Sequence, residues 1–299
     1  MTTSLSVGIP TNRPIDQRVW LLEDIASQTM QPDECVIVYD RYCRQAEHDD
    51  LVSRVSSVLM IKFRVITNIS DPLFVPQSGV SVVRNMIFSH ARSDYVVCLD
   101  DDNRIADDFL ALLAPLCAPD WCLIPVEKRP DGSARSRGYR GMSRMTWIIL
   151  PLREASSLSF ASSNAFCVDR AFACAHPFDE TMPFVYEDFC FFVQRKKYGG
   201  LTLCESISVT HHMIPKSKPA DAYVHTPLRA YQKGKHRVLF ARLLYSPWVF
   251  WLHCMTWLWV YTWYLSVLIF FWSGVQERRQ CFCALLRGTR DGLRSNDRR

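Results

Sequence analysis

Five short runs rich in Val and Ile recur through the first half of the chain, at Leu5–Ile9, Glu34–Tyr39, Ile61–Ile66, Tyr95–Leu99 and Trp121–Val126. Helix-patterned stretches separate several of them. In Arg18–Ser27 the residues Val19, Leu22, Ile25 and Ala26 fall on one helical side, and in Val80–Ala91 Val83, Met86, Ile87 and His90 share helical spacing. Strands that are apolar throughout need cover on both faces, which is the situation of a mainly parallel sheet flanked by helices. The alternation therefore predicts an α/β architecture built from βαβ units. From Glu127 to Arg144 the chain turns polar and basic, with Asp131-Gly132, Gly138 and Gly141 as breakers, and reads as a loop. Order resumes with Ser162–Val168, a helix-like Tyr186–Lys197, and an alternating Leu203–His211. In that last run Leu203, Glu205, Ile207, Val209 and His211 share one strand face.

The net charge of +5 conceals two unlike parts. Residues 1–221 hold 23 Lys/Arg against 27 Asp/Glu, a net of −4, whereas residues 222–299 hold 12 against 3, a net of +9. The division predicts a soluble domain over 1–221 and a basic, aromatic-rich helical region over 222–299 that meets an anionic surface. Residues 248–273 carry no charged side chain and include Trp248, Trp251, Trp257, Trp259, Trp263 and Trp272. Such a stretch is long enough to cross a bilayer, but seven arginines follow in residues 278–299, which favours an in-plane or re-entrant placement at the membrane. In the tail, Phe282, Leu285, Leu286 and Leu293 share a face bordered by Arg279, Arg287, Arg290 and Arg294, as in an interfacial helix. The basic segment Arg229–Arg242 runs directly into this Trp-rich sequence, so lipid rather than nucleic acid is the expected partner. The 12 cysteines include no CxxC pair and read as buried thiols of a reducing compartment. With no signal-peptide pattern at the N-terminus, the expected location is the cytoplasmic face of a membrane, the inner membrane in a bacterium.

The densest chemistry is Leu99-Asp100-Asp101-Asp102-Asn103, three carboxylates directly after an apolar strand. Ligands of open α/β sheets sit beyond the carboxyl ends of the strands. Adjacent carboxylates repel unless a cation or donors compensate, so the run reads either as a divalent-metal site or as solvated acids leading into a helix. Glu187-Asp188 opens a helix-like run; it offsets the helix dipole, or supplies a general base for a hydroxyl. His211 and His212 point to opposite strand faces, so one of them at most serves a given site.

Taken in order, Ser6 to Arg13, Val36 to Asp40, Gly79 to Asn85, Leu99 to Asp102, Pro177 to Glu180 and Tyr186 to Asp188 resemble the family 2 inverting glycosyltransferases over about residues 4–215. The resemblance implies a GT-A fold, Rossmann-like, with a nucleotide-binding half and an acceptor-binding half divided near Asp102. It implies that Thr11, Asn12 and Asp40 contact the nucleotide, that Arg84 and Asn85 lie near it, and that Asp100, Asp101 and Asp102 form the acidic element of the donor site. Mg²⁺ or Mn²⁺ would then be held by Asp102 with Asp100 and His211, and Asp188 would be the catalytic base. The partners implied are a nucleotide-sugar donor and a glycan or glycolipid acceptor. Thr11-Asn-Arg-Pro14 and Asp40-Arg-Tyr-Cys43 depart from the family's usual strand endings, so the base of the nucleotide is not read from them. The C-terminal region, with its ending Leu286 to Leu293, is similar to rhamnosyl- or galactofuranosyl-type transferases of bacterial surface polysaccharides. A membrane-bound scaffold that keeps the fold without turnover is the alternative; the intact acids at 100, 102 and 188 stand against it.

Overall fold

The computed structural model describes residues 3–13, 19–71, 73–136, 138–143, 149–212, 226–256, 262–263, 266–267 and 275–295. Among them, β1 (Leu5–Thr11), β2 (Glu34–Tyr39), β3 (Phe63–Ile66) and β4 (Tyr95–Leu99) pair in parallel in the order β3-β2-β1-β4. The sheet continues through β10 (Ala165–Asp169), β6 (Trp121–Lys128), β11 (Gly200–His211) and β5 (Asn103–Ile105). Of these, β10 and β5 run antiparallel to their neighbours while β6 and β11 pair in parallel. With β7 (Ala134–Ser136) added on β6, the sheet has nine strands and is mixed rather than mainly parallel: β3-β2-β1-β4 and β6-β11 pair in parallel, and β10, β5 and β7 run antiparallel to their neighbours.

The strands are apolar throughout because both faces are covered. In β4, Val96 and Cys98 enter one core while Val97 and Leu99 enter the other, the two-residue period of a pleated strand. On one side pack α1 (Val19–Ala26), α2 (Gln45–Val58) and α4 (Phe109–Leu113), through Leu22, Ile25, Val55 and Leu110. On the other pack α3 (Val80–His90), α5 (Arg170–Ala175), α6 (Glu187–Tyr198) and α7 (Pro227–Leu244), through Val83, Ile87, Phe88, Ala173, Phe191 and Phe240. Helix α2 buries only Leu51 and Val55, which is why it leaves no clear periodic trace in the sequence.

Two further expectations are corrected. The stretch read as a loop from Glu127 holds β7 and β8 (Tyr139–Met142), the latter paired with β9 (Ile149–Pro151) in a separate ribbon. Short strands of this kind carry too few alternating residues to be seen in sequence. In β11 the shared face fails at Glu205, which is exposed, because the register shifts between Cys204 and Ser208. There β11 advances four residues while β6 advances one, so Leu203 enters one core and Ile207 and Val209 the other, with His211 buried beyond them.

The C-terminal region is helical where it is described. Helix α8 (Pro247–Thr256) exposes Trp248, Trp251 and Leu252, and much of the rest of 257–274 lies outside the described residues. Among the described residues no helix is long and apolar enough to cross a membrane. Helix α9 (Val275–Arg294) packs along α7, burying Cys281 and Leu285 with Ala230, while Phe282 and Leu286 stay partly exposed. The apolar tail residues are thus divided between α7 and the outer surface. Backbones approach closely here: a Cβ on Gly288 would lie 2.0 Å from the Tyr231 carbonyl oxygen. Ala is the better helix former by about 1 kcal/mol, but overpacking between two backbones costs about 1–3 kcal/mol. Gly288→Ala is therefore expected to lower Tm; an unchanged or raised Tm would show that α7 and α9 do not pack this tightly.

Candidate active site

Strands β1, β2 and β4 end at one edge of the sheet, so Thr11, Asp40 and Asp100 arrive together at their carboxyl ends. A cavity of about 380 Å³ opens there. It is lined by Thr11, Asn12, Asp40, Arg84, Asp100, Asp101, Asp102 and Asp188 among others, so eight of the residues singled out from the sequence meet in one place. Asn85 does not join them: its amide donates to the Phe178 carbonyl (2.9 Å) and to Glu180 (3.0 Å), and accepts from the Phe178 N–H (2.8 Å). One residue further along a helix is a turn of 100°, which takes Asn85 off the face that carries Arg84.

At the first-strand end, Thr11 Oγ1 donates to Asp101 (2.5 Å), and Arg13 reaches both Asp101 (3.2 Å) and Asp102 (3.3 Å). Asp40 accepts from the Gln77 N–H (2.5 Å). Burial pushes its pKa up, opposed by the N–H groups of Gln77, Gly79 and Ser78. That loop leads into α3 through Gly79, whose φ of 106° and close contact with Pro183 leave no room for a Cβ.

Arg84, 2% exposed, crosses beneath the cavity. It donates to Asp100 (2.9 Å) and to the Ser163 carbonyl (3.1 Å), and its guanidinium lies 3.8 Å from Glu187. Burial still pushes Asp100 up to about 7; Arg84 opposes the shift, and Asp102 and Asp101 add to it. His211 sits outside the cavity lining but behind Asp102, with Nδ1 at 3.4 Å from Asp102 Oδ1 and 3.7 Å from Glu127 Oε1. His212 faces away, against the Trp20 ring at 5.8 Å.

Among the described residues no three His, Cys, Asp or Glu side chains converge as a metal site. Asp102 and His211 nonetheless fit a divalent cation as a pair. His211 Nδ1 is buried without a hydrogen-bond partner, and burial lowers the imidazole pKa, keeping it neutral. A neutral ring nitrogen facing a carboxylate is a donor set for such an ion.

Glu187 and Asp188 enter the cavity from the first turn of α6. Burial raises both, Glu187 to about 8 and Asp188 to about 6, each also feeling Arg84, which lowers it. Their backbone is strained: Val185 (φ 65°) and Tyr186 (φ 70°) are successive left-handed residues, and a β-branched one there is an outlier.

A search of curated proteins finds no match to the sequence. The family model "Glycosyl transferase family 2" matches residues 20–175, just over half of the chain. The chain belongs to glycosyl transferase family 2. It is a glycosyltransferase with a GT-A fold. Among solved structures, the mannosyltransferase PcManGT from Pyrobaculum calidifontis, in complex with GDP-Man and Mn²⁺, is 14% identical with a TM-score of 0.58, covering 100% of this chain and 89% of that one. S. aureus TarS 1–349 with UDP-GlcNAc is 14% identical at a TM-score of 0.57, over 99% and 93% of the two chains. A further TarS structure matches at 14% identity and a TM-score of 0.52, over 80% of this chain, and the chain spans 40% of its length.

In this glycosyltransferase the strained turn is held from outside the matched region, by α7. His236 Nδ1 lies 2.8 Å from the Phe184 carbonyl and 3.0 Å from that of Val185. Arg237 donates to the Tyr186 hydroxyl (2.6 Å), and the Tyr186 ring stacks on Phe240 at 5.5 Å. Strained residues persist where their surroundings over-determine them. Sequence reasoning singled out none of these contacts, nor Glu127, which joins Arg135 (2.5 Å) and Asn164 (2.9 Å) beside His211, nor Arg229 in the cavity wall. A lone His or Glu has no pattern to announce it when a partner is as distant in the chain as Phe184 is from His236 or Asn164 is from Glu127. His236→Ala leaves two carbonyls short of a donor and is expected to cost about 1–3 kcal/mol of stability. Urea denaturation measures this, and a wild-type midpoint would mean the turn holds itself.

Proposed function

We propose that this protein transfers a sugar from a nucleoside-diphosphate donor to a hydroxyl of a glycan or glycolipid acceptor, with inversion at the anomeric carbon. The observation that carries the reading is the single cavity that brings strand-end residues Thr11 and Asp40, the acids Asp100–Asp102 and the carboxylate Asp188 together. The nucleotide-sugar complexes of PcManGT and TarS support such a donor. Thr11, Asn12 and Asp40 form the nucleotide end. Asp188, with its raised pKa, takes the proton of the acceptor hydroxyl as that oxygen attacks the anomeric carbon from the face opposite the diphosphate. The new C–O bond forms, the bond to the diphosphate breaks, and the nucleoside diphosphate leaves with the electron pair. Arg84 holds Asp100 and lies near Glu187 from below, keeping both sets of acids in place. Where Mg²⁺ or Mn²⁺ is bound, Asp102, with His211 and Asp100, would hold it, and the ion supplies positive charge against the diphosphate.

The reading extends to location. Exposed Trp248, Trp251, Leu252 and Trp263, together with the arginines Arg279, Arg287, Arg290 and Arg294 of the same region, support docking of the C-terminal region on anionic lipid at the cytoplasmic face. A lipid-linked acceptor of surface polysaccharide synthesis, and a rhamnosyl- or galactofuranosyl-type reaction, agree with that placement.

Four outcomes are expected. Calorimetry with UDP, GDP and dTDP should find one nucleotide whose binding is strengthened by Mn²⁺, and Asp102→Ala should abolish the Mn²⁺ effect; no binding of any nucleotide would overturn the donor class. Asp188→Asn should cut turnover by about 10²–10⁴-fold with nucleotide affinity unchanged. Because the base works deprotonated, wild-type kcat/KM should fall tenfold per pH unit below about 6, the Asp188 value, and a flat acid limb would exclude this base. Trp248→Ser with Trp251→Ser should weaken co-sedimentation with phosphatidylglycerol vesicles; wild-type sedimentation would remove these rings from the membrane contact.

A further inference from the structure

Strand β10 pairs with β4 over Ala165–Asp169, and the residues just before that ladder, Ser162, Ser163 and Asn164, form a turn of which Ser163 and Asn164 line the cavity. Two side chains of this turn end on one carboxylate. The Ser162 hydroxyl donates to Glu127 Oε2 (3.4 Å) and the Asn164 amide to Glu127 Oε1 (2.9 Å), and Arg135 of β7 donates to Oε1 as well. Glu127 is only 5% exposed, and these donors are what a buried carboxylate requires. The main chain of the same turn serves the site. The Ser163 carbonyl accepts from Arg84 (3.1 Å), the Ser163 N–H donates to the Asp188 carboxylate, and the Asn164 carbonyl accepts from the Asp100 N–H (2.8 Å) and the Asn103 amide (2.5 Å).

We propose that Glu127 is a positioning residue for the transfer reaction: it grips the Ser162–Asn164 turn so that the Ser163 N–H meets the Asp188 carboxylate. The proposal rests on the transferase reading above, in which Asp188 is the base, and Glu127 acts through the turn without touching a reacting atom. A base works only within hydrogen-bond reach of its proton, and an N–H bonded to the ionised carboxylate favours that form. A turn that slips therefore leaves Asp188 both misplaced and harder to ionise. The other charged or titratable groups around Asp188 are Arg84 of α3, Glu187 of its own helix and Tyr139 of β8, with Arg229 and Asp100–Asp102 lining the same cavity; all are kept when Glu127 is changed. His211 Nδ1 lies 3.7 Å from Glu127 Oε1, so Glu127 has a second neighbour on which its charge could act. Gln separates the two roles. It removes the charge, keeps an oxygen for the Asn164 amide, and brings an NH₂ for the Ser162 hydroxyl, which accepts as well as donates.

The test compares wild-type full-length protein with Glu127→Ala, Glu127→Gln and Ser162→Ala. Amide hydrogen exchange in the peptide spanning 162–164, which needs no donor, should speed up in Glu127→Ala and return to the wild-type rate in Glu127→Gln. With water as acceptor, nucleoside diphosphate release is followed from whichever of UDP-GlcNAc, GDP-mannose or dTDP-rhamnose the wild type hydrolyses. Glu127→Ala should lower kcat by up to about 10²-fold and move the acid limb of kcat/KM to higher pH, and Glu127→Gln should restore both. Calorimetry should find nucleotide affinity, and its strengthening by Mn²⁺, unchanged in both Glu127 variants, which also shows that they are folded. Ser162→Ala loosens one side of the turn only and should move the limb in the same direction; with Glu127→Gln it carries the test if Glu127→Ala does not fold. The proposal fails if exchange is unchanged in Glu127→Ala, if the rate falls with the acid limb unmoved, or if Glu127→Gln behaves as Glu127→Ala, which would make the charge rather than the grip decisive. Loss of the Mn²⁺ effect would assign Glu127 to the donor acids and also overturn it. Failure of UDP, GDP and dTDP alike to bind the wild type would instead strike the transferase reading.

Discussion

A single buried cation ties the catalytic halves of this protein together. Arg84 comes from α3, yet its contacts are Asp100 at the end of β4, the Ser163 carbonyl before β10 and Glu187 at the start of α6. A guanidinium this deeply buried is tolerated only when paired, and removal of one member of such a pair typically costs about 3–5 kcal/mol. The pairing explains why three elements distant in sequence hold their acids around one space. It also explains how several carboxylates coexist there: the positive charge below them offsets part of a repulsion and desolvation that would otherwise keep them protonated.

The second dependency runs through the C-terminal region. Helix α7 contacts the carbonyls of Phe184 and Val185 and the hydroxyl of Tyr186, and α9 packs along its other side with glycines at the crossing. The part of the chain with the basic, aromatic composition is therefore also the part that supports the strained turn before Asp188. The proposed membrane docking and the support of this turn would share one helix pair. A helix held by close backbone packing transmits a displacement with little slack, because interiors are nearly incompressible.

The strands at Glu34–Tyr39 and Tyr95–Leu99 are legible to the residue, since a strand covered on both faces must be apolar at every position and turn residues bound it. That Thr11, Asp40, Asp100–Asp102 and Asp188 line one cavity is legible for a related reason: each stands at the end of such a strand or the start of a helix, where chain direction alone delivers it to the sheet edge. Glu205 was not placed correctly, because a bulge is invisible in a period-two pattern. Asn85 carries the same motif as Arg84 but spends its amide on the Phe178–Glu180 loop.

By itself, the sequence determined the layered α/β architecture, the sheet edge at which the cavity opens and the uneven distribution of charge, because these follow from local periodicity and composition. Tertiary structure alone decided that Arg84 pairs with Asp100, that His211 rather than His212 faces Asp102, and that His236 and Arg237 hold the turn before Asp188. Each of these is a contact between residues far apart in the chain. Its energy depends on burial and distance, which no local pattern encodes.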